Sequence, residues 1–217
     1  MKYIVANWKS NKMLSDALEW VGTVSSKLEH SSEVTAVVCP PSVYLAEIQK
    51  QVQIGGSVLS VGSQNFSQFD FGSFTGEETA QMVGQFAKYA IIGHSERRKY
   101  FFETDESLVE KVKRGKESGL EIIFCVQDEH TPIPDGVSIV AYEPVFAIGT
   151  GSADTPENAG SVANVIKNLH NDVTVLYGGS VTAENAGGFL EQEGIDGLLI
   201  GKAALDAEEF VKIVQLV

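Results

Sequence analysis

Two textures alternate along the chain. Short, mostly apolar runs rich in β-branched and aromatic residues recur at 3–8, 34–39, 58–63, 89–92, 121–126, 138–142, 173–177 and 197–200. Such runs, bounded by Gly, Pro, Asn or Ser, read as buried strands. Longer mixed segments lie between most of them and carry helix start signals. These are Ser15, Ser42, Thr75 with Glu78 at capping-box spacing, Thr104 with Asp105 ahead of a run to Gly119, Pro156, Thr182, and Asp206 with Glu209. Eight strands alternating with helices call for parallel βα units and place the chain in the α/β class. One interval breaks the alternation. The stretch 127–137 contains Pro132, Pro134 and Asp135-Gly136 and is barely as long as a parallel crossover requires. No helix is expected there, so the outer faces of the fifth and sixth strands, with Ile122, Phe124 and Ile139, should be under-covered. Either neighbouring helices lean across them or a second copy makes an extra self-contact at strands 5 and 6.

Composition narrows the class further. With 217 residues, 43% of them hydrophobic, and no low-complexity stretch, the chain is expected to form one domain spanning 1–217. The first apolar run is interrupted at Asn7 and Lys9, so no signal peptide is read, no stretch has the length of a membrane span, and a cytoplasmic location is expected. Cys39 and Cys125 each sit near the end of an apolar run, which suits buried reduced thiols and not a disulfide framework. No His/Cys spacing suggests a metal site, and no cofactor is called for. The formal net charge of −13 argues against nucleic acid and anionic membranes as partners.

The chemistry collects where apolar runs stop. Glu143 follows the run 138–142, is succeeded by Pro144, and precedes the small-residue loop Ala147-Ile-Gly-Thr-Gly151. A carboxylate at a strand end beside a loop able to fold over a ligand is the layout of a base with a lid. His94 follows the run 89–92 and Gly93, and Ser95 opens a short helical turn. At a helix N-terminus the dipole disfavours imidazolium, so His94 is expected to be neutral and able to donate to a carbonyl oxygen. The first run ends in Asn7-Trp-Lys9, an amide and an ammonium.

Together with Tyr177-Gly-Gly-Ser-Val181, the segments Asn7-Trp-Lys9, Gly93-His-Ser-Glu-Arg-Arg98 and Tyr142-Glu-Pro-Val through Gly151 resemble the triosephosphate isomerase family, in its order and register, through nearly the whole chain. The resemblance implies a (β/α)8 TIM barrel, here shortened by the helix between strands 5 and 6, with its site at the C-terminal strand ends. It also implies interconversion of dihydroxyacetone phosphate and glyceraldehyde 3-phosphate through an enediolate. Glu143 would be the base, His94 would hydrogen-bond the oxygens, Lys9 and Asn7 would offset negative charge, and Glu96 would complete the catalytic group. Asn7, Lys9, Gly149, Ser180, Gly201 and Lys202 would bind substrate, its phosphate chiefly through backbone N–H groups.

The chain departs from the family pattern in several places. Lys202 stands where a second glycine is common, so either only its N–H serves the phosphate or its ammonium adds a charge. Phe146 replaces a usual Trp, Asp154 lies at the far hinge of the lid, and Gln127-Asp-Glu129 differs after strand 5. The long segment from Gln64 to Glu77, with Phe71 and Phe74, resembles the family's interdigitating loop and implies a homodimer. Two alternatives were weighed: a related barrel isomerase for another phosphorylated sugar, against which the retained lid speaks, and a non-catalytic metabolite-binding homologue, which has little need of Lys9, His94 and Glu143 together.

Overall fold

The computed structural model describes residues 1–144, 153–170 and 173–217. Its strands are β1 (Lys2–Asn7), β2 (Val34–Cys39), β3 (Ser60–Ser63), β4 (Tyr89–Ile92), β5 (Glu121–Val126), β6 (Ile139–Tyr142), β7 (Thr174–Tyr177) and β8 (Gly197–Ile200). They pair in parallel in chain order, and β1 also pairs with β8, which closes the sheet into a barrel. The third strand starts two residues later than the apolar run suggests. The Ser57 hydroxyl accepts the Leu59 N–H at 3.2 Å, and this local turn holds the backbone out of the ladder until Ser60.

The period of two along each strand builds two apolar layers. Val5, Val37, Ile91, Ile123, Ala141, Leu176 and Leu199 belong to one cluster that fills the barrel. Their neighbours Ile4, Val38, Ile92, Phe124, Val140, Val175 and Leu198 belong to the other, between sheet and helices. Those helices are α1 (Leu14–Lys27), α2 (Leu45–Ile54, after a 3-10 turn at Ser42–Tyr44), α3 (Ala80–Val83), α4 (Ser95–Tyr100), α5 (Asp105–Glu117), α6 (Pro156–Leu169), α7 (Ala186–Leu190) and α8 (Ala207–Val214). Trp20 of α1 meets Trp8 edge-on at 4.9 Å and Phe210 of α8 at 5.1 Å, fastening both helices to the end of β1. None of the described helices is long and apolar enough to cross a membrane.

Three helix starts differ from expectation. Thr75 and Glu78 form no capping box: Thr79 caps α3 by accepting the Met82 N–H, while Glu77 is drawn to the Ser67 hydroxyl at 2.6 Å. The segment after Thr182 delays its helix to Ala186. Asp206 caps α8, but the Glu209 side chain does not return to it, because it accepts the Ala183 N–H instead.

Between β5 and β6 there is no helix. Turns occupy the interval, organised by Thr131 Oγ1, which accepts the N–H groups of Gln127 and Asp128. Of the covers expected for the outer faces of these strands, the one within the chain is found. Ile122, Phe124 and Ile139 are all buried. Ile139 points into the barrel, Ile122 lies under α5 where Gly115 lets the helix approach, and the Arg98 guanidinium sits 5.7 Å above the Phe124 ring. Ile133 packs on the same layer from the turn. The short connection and its neighbours therefore cover these strands within one chain, and the motive for an extra self-contact there disappears.

Candidate active site

Every catalytic candidate read from the sequence stands at or just beyond a strand's C-terminal end. Gly93, with φ of +74°, turns β4 into α4, and a side chain there would crowd Leu108 and Arg98. The turn makes His94 the N-cap of α4, with Nδ1 accepting the Glu96 N–H at 3.2 Å. Nδ1 therefore carries no proton, and Nε2 donates to Glu143 Oε1 at 2.9 Å. The other Glu143 oxygen accepts the Ser95 N–H at 3.0 Å. Both side chains are deeply buried, with His94 6% and Glu143 2% exposed. Gly178 makes room for the carboxylate, since a Cβ there would lie 2.9 Å from Glu143 Cγ.

Burial alone would push the Glu143 carboxyl up, but His94, the Ser95 N–H and Lys9 hold it below the usual carboxylate range. It is an ionised, water-excluded carboxylate, as a base must be. For His94 the balance differs from the sequence expectation. Burial pushes its pKa down, yet the Glu143 carboxylate outweighs burial and raises it above the ordinary value. The helix amide still leaves Nδ1 as an acceptor, so the imidazole in this geometry is the neutral Nε2–H tautomer donating to a carboxylate.

Lys9 is held at three points. Its φ of +52° is left-handed, a conformation that costs a residue with a Cβ about 1 kcal/mol or more and persists only where its surroundings impose it. Its N–H donates to Asn7 Oδ1 at 3.1 Å, and its carbonyl accepts from Gln64 Nε2 at 2.9 Å. Its ammonium reaches Glu96 Oε1 at 2.6 Å, and its stem passes 3.5 Å from where a Cβ on Gly201 would lie. Glu96 also brings its second oxygen within 3.6 Å of His94 Nδ1, so one carboxylate links the two groups. Gln64, read from the sequence only as part of a dimer loop, also donates to the Cys39 carbonyl at 2.9 Å and thereby joins the ends of β1, β2 and β3. Its signal was present: like Asn7 and His94, it is a polar residue directly after an apolar run.

Asn7, Lys9, His94, Glu143, Ser180, Gly201 and Lys202 all line one cavity of about 1130 Å³ at the barrel mouth. Lys202 opens the 3-10 turn Lys202–Leu205 with its side chain exposed. Gly149, Phe146 and the rest of the lid at 145–152 lie outside the described residues. Asp154, at the hinge, is described. Its N–H donates to the Tyr177 hydroxyl at 2.9 Å, and its carboxylate accepts from the Thr155 N–H and the Asn158 amide at the start of α6. Cys39 and Cys125 are free and buried, as read.

Comparison with known proteins agrees with this geometry. The family model described as triosephosphate isomerase matches residues 2–217. The triosephosphate isomerase of Aquifex aeolicus (strain VF5) is 36% identical over a 244-residue alignment covering 98% of each chain. That of Shewanella sp. (strain W3-18-1) is 36% identical over 248 residues, covering 97% of this chain and 95% of the relative. Matched from end to end, and carrying an ionised carboxylate, a neutral imidazole and an ammonium at one barrel mouth, the chain belongs to the triosephosphate isomerase family and interconverts dihydroxyacetone phosphate and glyceraldehyde 3-phosphate.

Proposed function

We propose that Glu143 moves the substrate's carbon-bound proton. Its carboxylate takes a proton from the carbon beside the carbonyl, the C–H electron pair becomes the second bond of an enediolate, and the proton returns to the neighbouring carbon. His94 Nε2–H hydrogen-bonds the two oxygens between which a hydroxyl proton must also pass. Lys9, with the Asn7 amide, offsets the charge that grows on them. The observation that carries the reading is the buried pair Glu143–His94 at 2.9 Å, a base kept ionised beside a donor. In the resting arrangement these groups satisfy one another: Glu143 engages His94 and Ser95, and Lys9 engages Glu96. Substrate must replace those contacts, and until then Glu96 holds the Lys9 ammonium.

Phosphate is gripped by backbone N–H groups around Ser180, Gly201 and Lys202, with Gly149 joining them by resemblance. A cytoplasmic homodimer completes the reading. Its support is the segment from Gln64 to Glu77, which exposes Phe71 and stacks Phe69 on Phe74 at 4.2 Å. Beside it lies a cavity of about 420 Å³ lined by Phe101, Phe102 and Glu103, so the chain presents both a protrusion and a recess. The test of the catalytic roles is Glu143→Gln, which keeps the shape and removes the base. Turnover should fall by about 10²-fold to 10⁴-fold with an unchanged thermal melt. Near-full turnover would sink the assignment.

A further inference from the structure

The segment that follows β7 has to present N–H groups in a fixed direction. A molecule of net charge −13 with Asp206 and Glu209 on the cavity wall offers a phosphate little general attraction. The grip therefore depends on where a few dipoles point. A peptide unit is planar, so its N–H and C=O point in opposite directions and fixing one fixes the other. In this segment the fixing comes from a side chain. Asn185 Oδ1 accepts the Thr182 N–H at 2.8 Å, while its Nδ2 donates to the Ser180 carbonyl at 3.1 Å. One amide thus holds two consecutive peptide units, the one carrying the Ser180 carbonyl with the Val181 N–H and the one carrying the Thr182 N–H. The Val181 N–H in turn donates to the Gly179 carbonyl at 3.0 Å. That carbonyl shares its peptide plane with the Ser180 N–H. Orientation passes from Asn185 through two planes to the N–H of a residue lining the cavity. From outside, Glu209 at the start of α8 accepts the Ala183 N–H at 3.3 Å and steadies the far end of the segment.

We infer that Asn185 is a positioning residue for phosphate recognition, setting the direction of the Ser180 N–H without needing to touch the substrate. The inference rests on the phosphate site proposed above and specifies how its backbone is aimed. It also explains why helix α7 starts late: the residue that would ordinarily cap it spends its side chain backwards, on the turn.

The experiment compares the unsubstituted chain with Asn185→Ala, which loses both contacts, and Asn185→Asp, which keeps the acceptor for Thr182 but loses the donor to Ser180; because Asn185 lines the cavity, Asp adds a carboxylate there, and all constants are read at high salt, where its repulsion is screened. Three quantities are read: kcat/KM on glyceraldehyde 3-phosphate, kcat/KM on phosphate-free glyceraldehyde, and the inhibition constant of inorganic phosphate. For both variants the ratio of the two kcat/KM values should fall about ten-fold, with KM for the phosphorylated substrate carrying most of the change, and inorganic phosphate should inhibit more weakly by a similar factor. An equal loss on both substrates, or no loss, overturns the inference, the former marking a merely structural role. Should Asn185→Ala fold poorly, Asn185→Asp alone decides, because a wild-type ratio in it shows that the Ser180 carbonyl contact does not aim the grip. If inorganic phosphate fails to compete with triose phosphate in the unsubstituted chain, the phosphate site itself falls. If it competes and neither variant changes its constant, only the role of Asn185 does.

Discussion

Lys202 is a residue whose chemistry its neighbours decide. Its side chain is exposed, among the described residues it makes no ion pair or side-chain hydrogen bond, and Lys9 already supplies an ammonium beside Gly201. On the proposed reading, phosphate recognition at this position therefore belongs to its backbone. Lys202→Gly should change KM by less than about two-fold, because uniform binding energy is lost only if a contact is lost. A several-fold rise in KM, with weaker salt dependence, would assign the ammonium a contact. Glu143, His94 and Lys9 were legible as polar groups ending apolar runs. Gln64 carries the same signal but reads only as part of a dimer loop, whereas Asn185 was not legible, because its partners are a backbone carbonyl and an N–H group of its own turn. Such pairings leave no periodicity and no spacing in the sequence.

Among the elements, α4 and α5 are joined to the segment after β3 by a buried ion cluster. Glu103 Oε1 accepts from both Arg97 Nε and Lys111 Nζ at 2.6 Å, and Lys111 also donates to Asn65 Oδ1 at 2.7 Å. The two partners respond differently. Burial pushes the Glu103 carboxyl up but Lys111 and Arg97 outweigh it and hold it below its ordinary 4.5, whereas burial pushes Lys111 down and prevails. One carboxylate oxygen shared between two cations explains the difference, since Glu103 meets two opposite charges while each cation has only part of one. Glu103→Gln leaves the buried Lys111 ammonium and the partly exposed Arg97 guanidinium without their carboxylate and should destabilise the fold by about 3–5 kcal/mol. The pH dependence follows from the direction of the shift. A carboxyl lowered in the native state contributes its stabilisation above its unfolded pKa of 4.5 and loses it as pH falls through the native value. Urea unfolding should therefore show a shallower loss of stability as pH falls below 4.5 in Glu103→Gln than in the unsubstituted chain. Parallel pH profiles would remove Glu103 from this account. None of the cluster was read from the sequence, where Arg97, Glu103 and Lys111 look like ordinary charges on helical surfaces.

For the whole molecule, most of the exposed aromatic side chains among the described residues lie around one site, with Phe71 and Phe74 on the loop and Tyr100, Phe101 and Phe102 beside the recess. Phe102 is 82% exposed in a left-handed conformation, φ +54°, a costly way to present an aromatic ring to water. Light scattering of the unsubstituted chain should give twice the chain mass, and Phe74→Glu, which puts a carboxylate on the protrusion, should shift it to the monomer. A dimer that survives Phe74→Glu, or a monomeric unsubstituted chain, would remove this loop as the interface. The sequence by itself determined the strand count, the parallel order, the missing helix after β5 and three candidate catalytic groups. Strand periodicity, helix breakers and polar residues closing apolar runs are local signals, complete within a dozen residues. The tertiary structure decided what covers β5 and β6, how Glu143 and His94 set each other's charge, why Lys9 stays left-handed and which side chains aim the backbone. Each of these depends on a distance between residues that only barrel closure brings together, and a distance across the barrel has no counterpart along the chain.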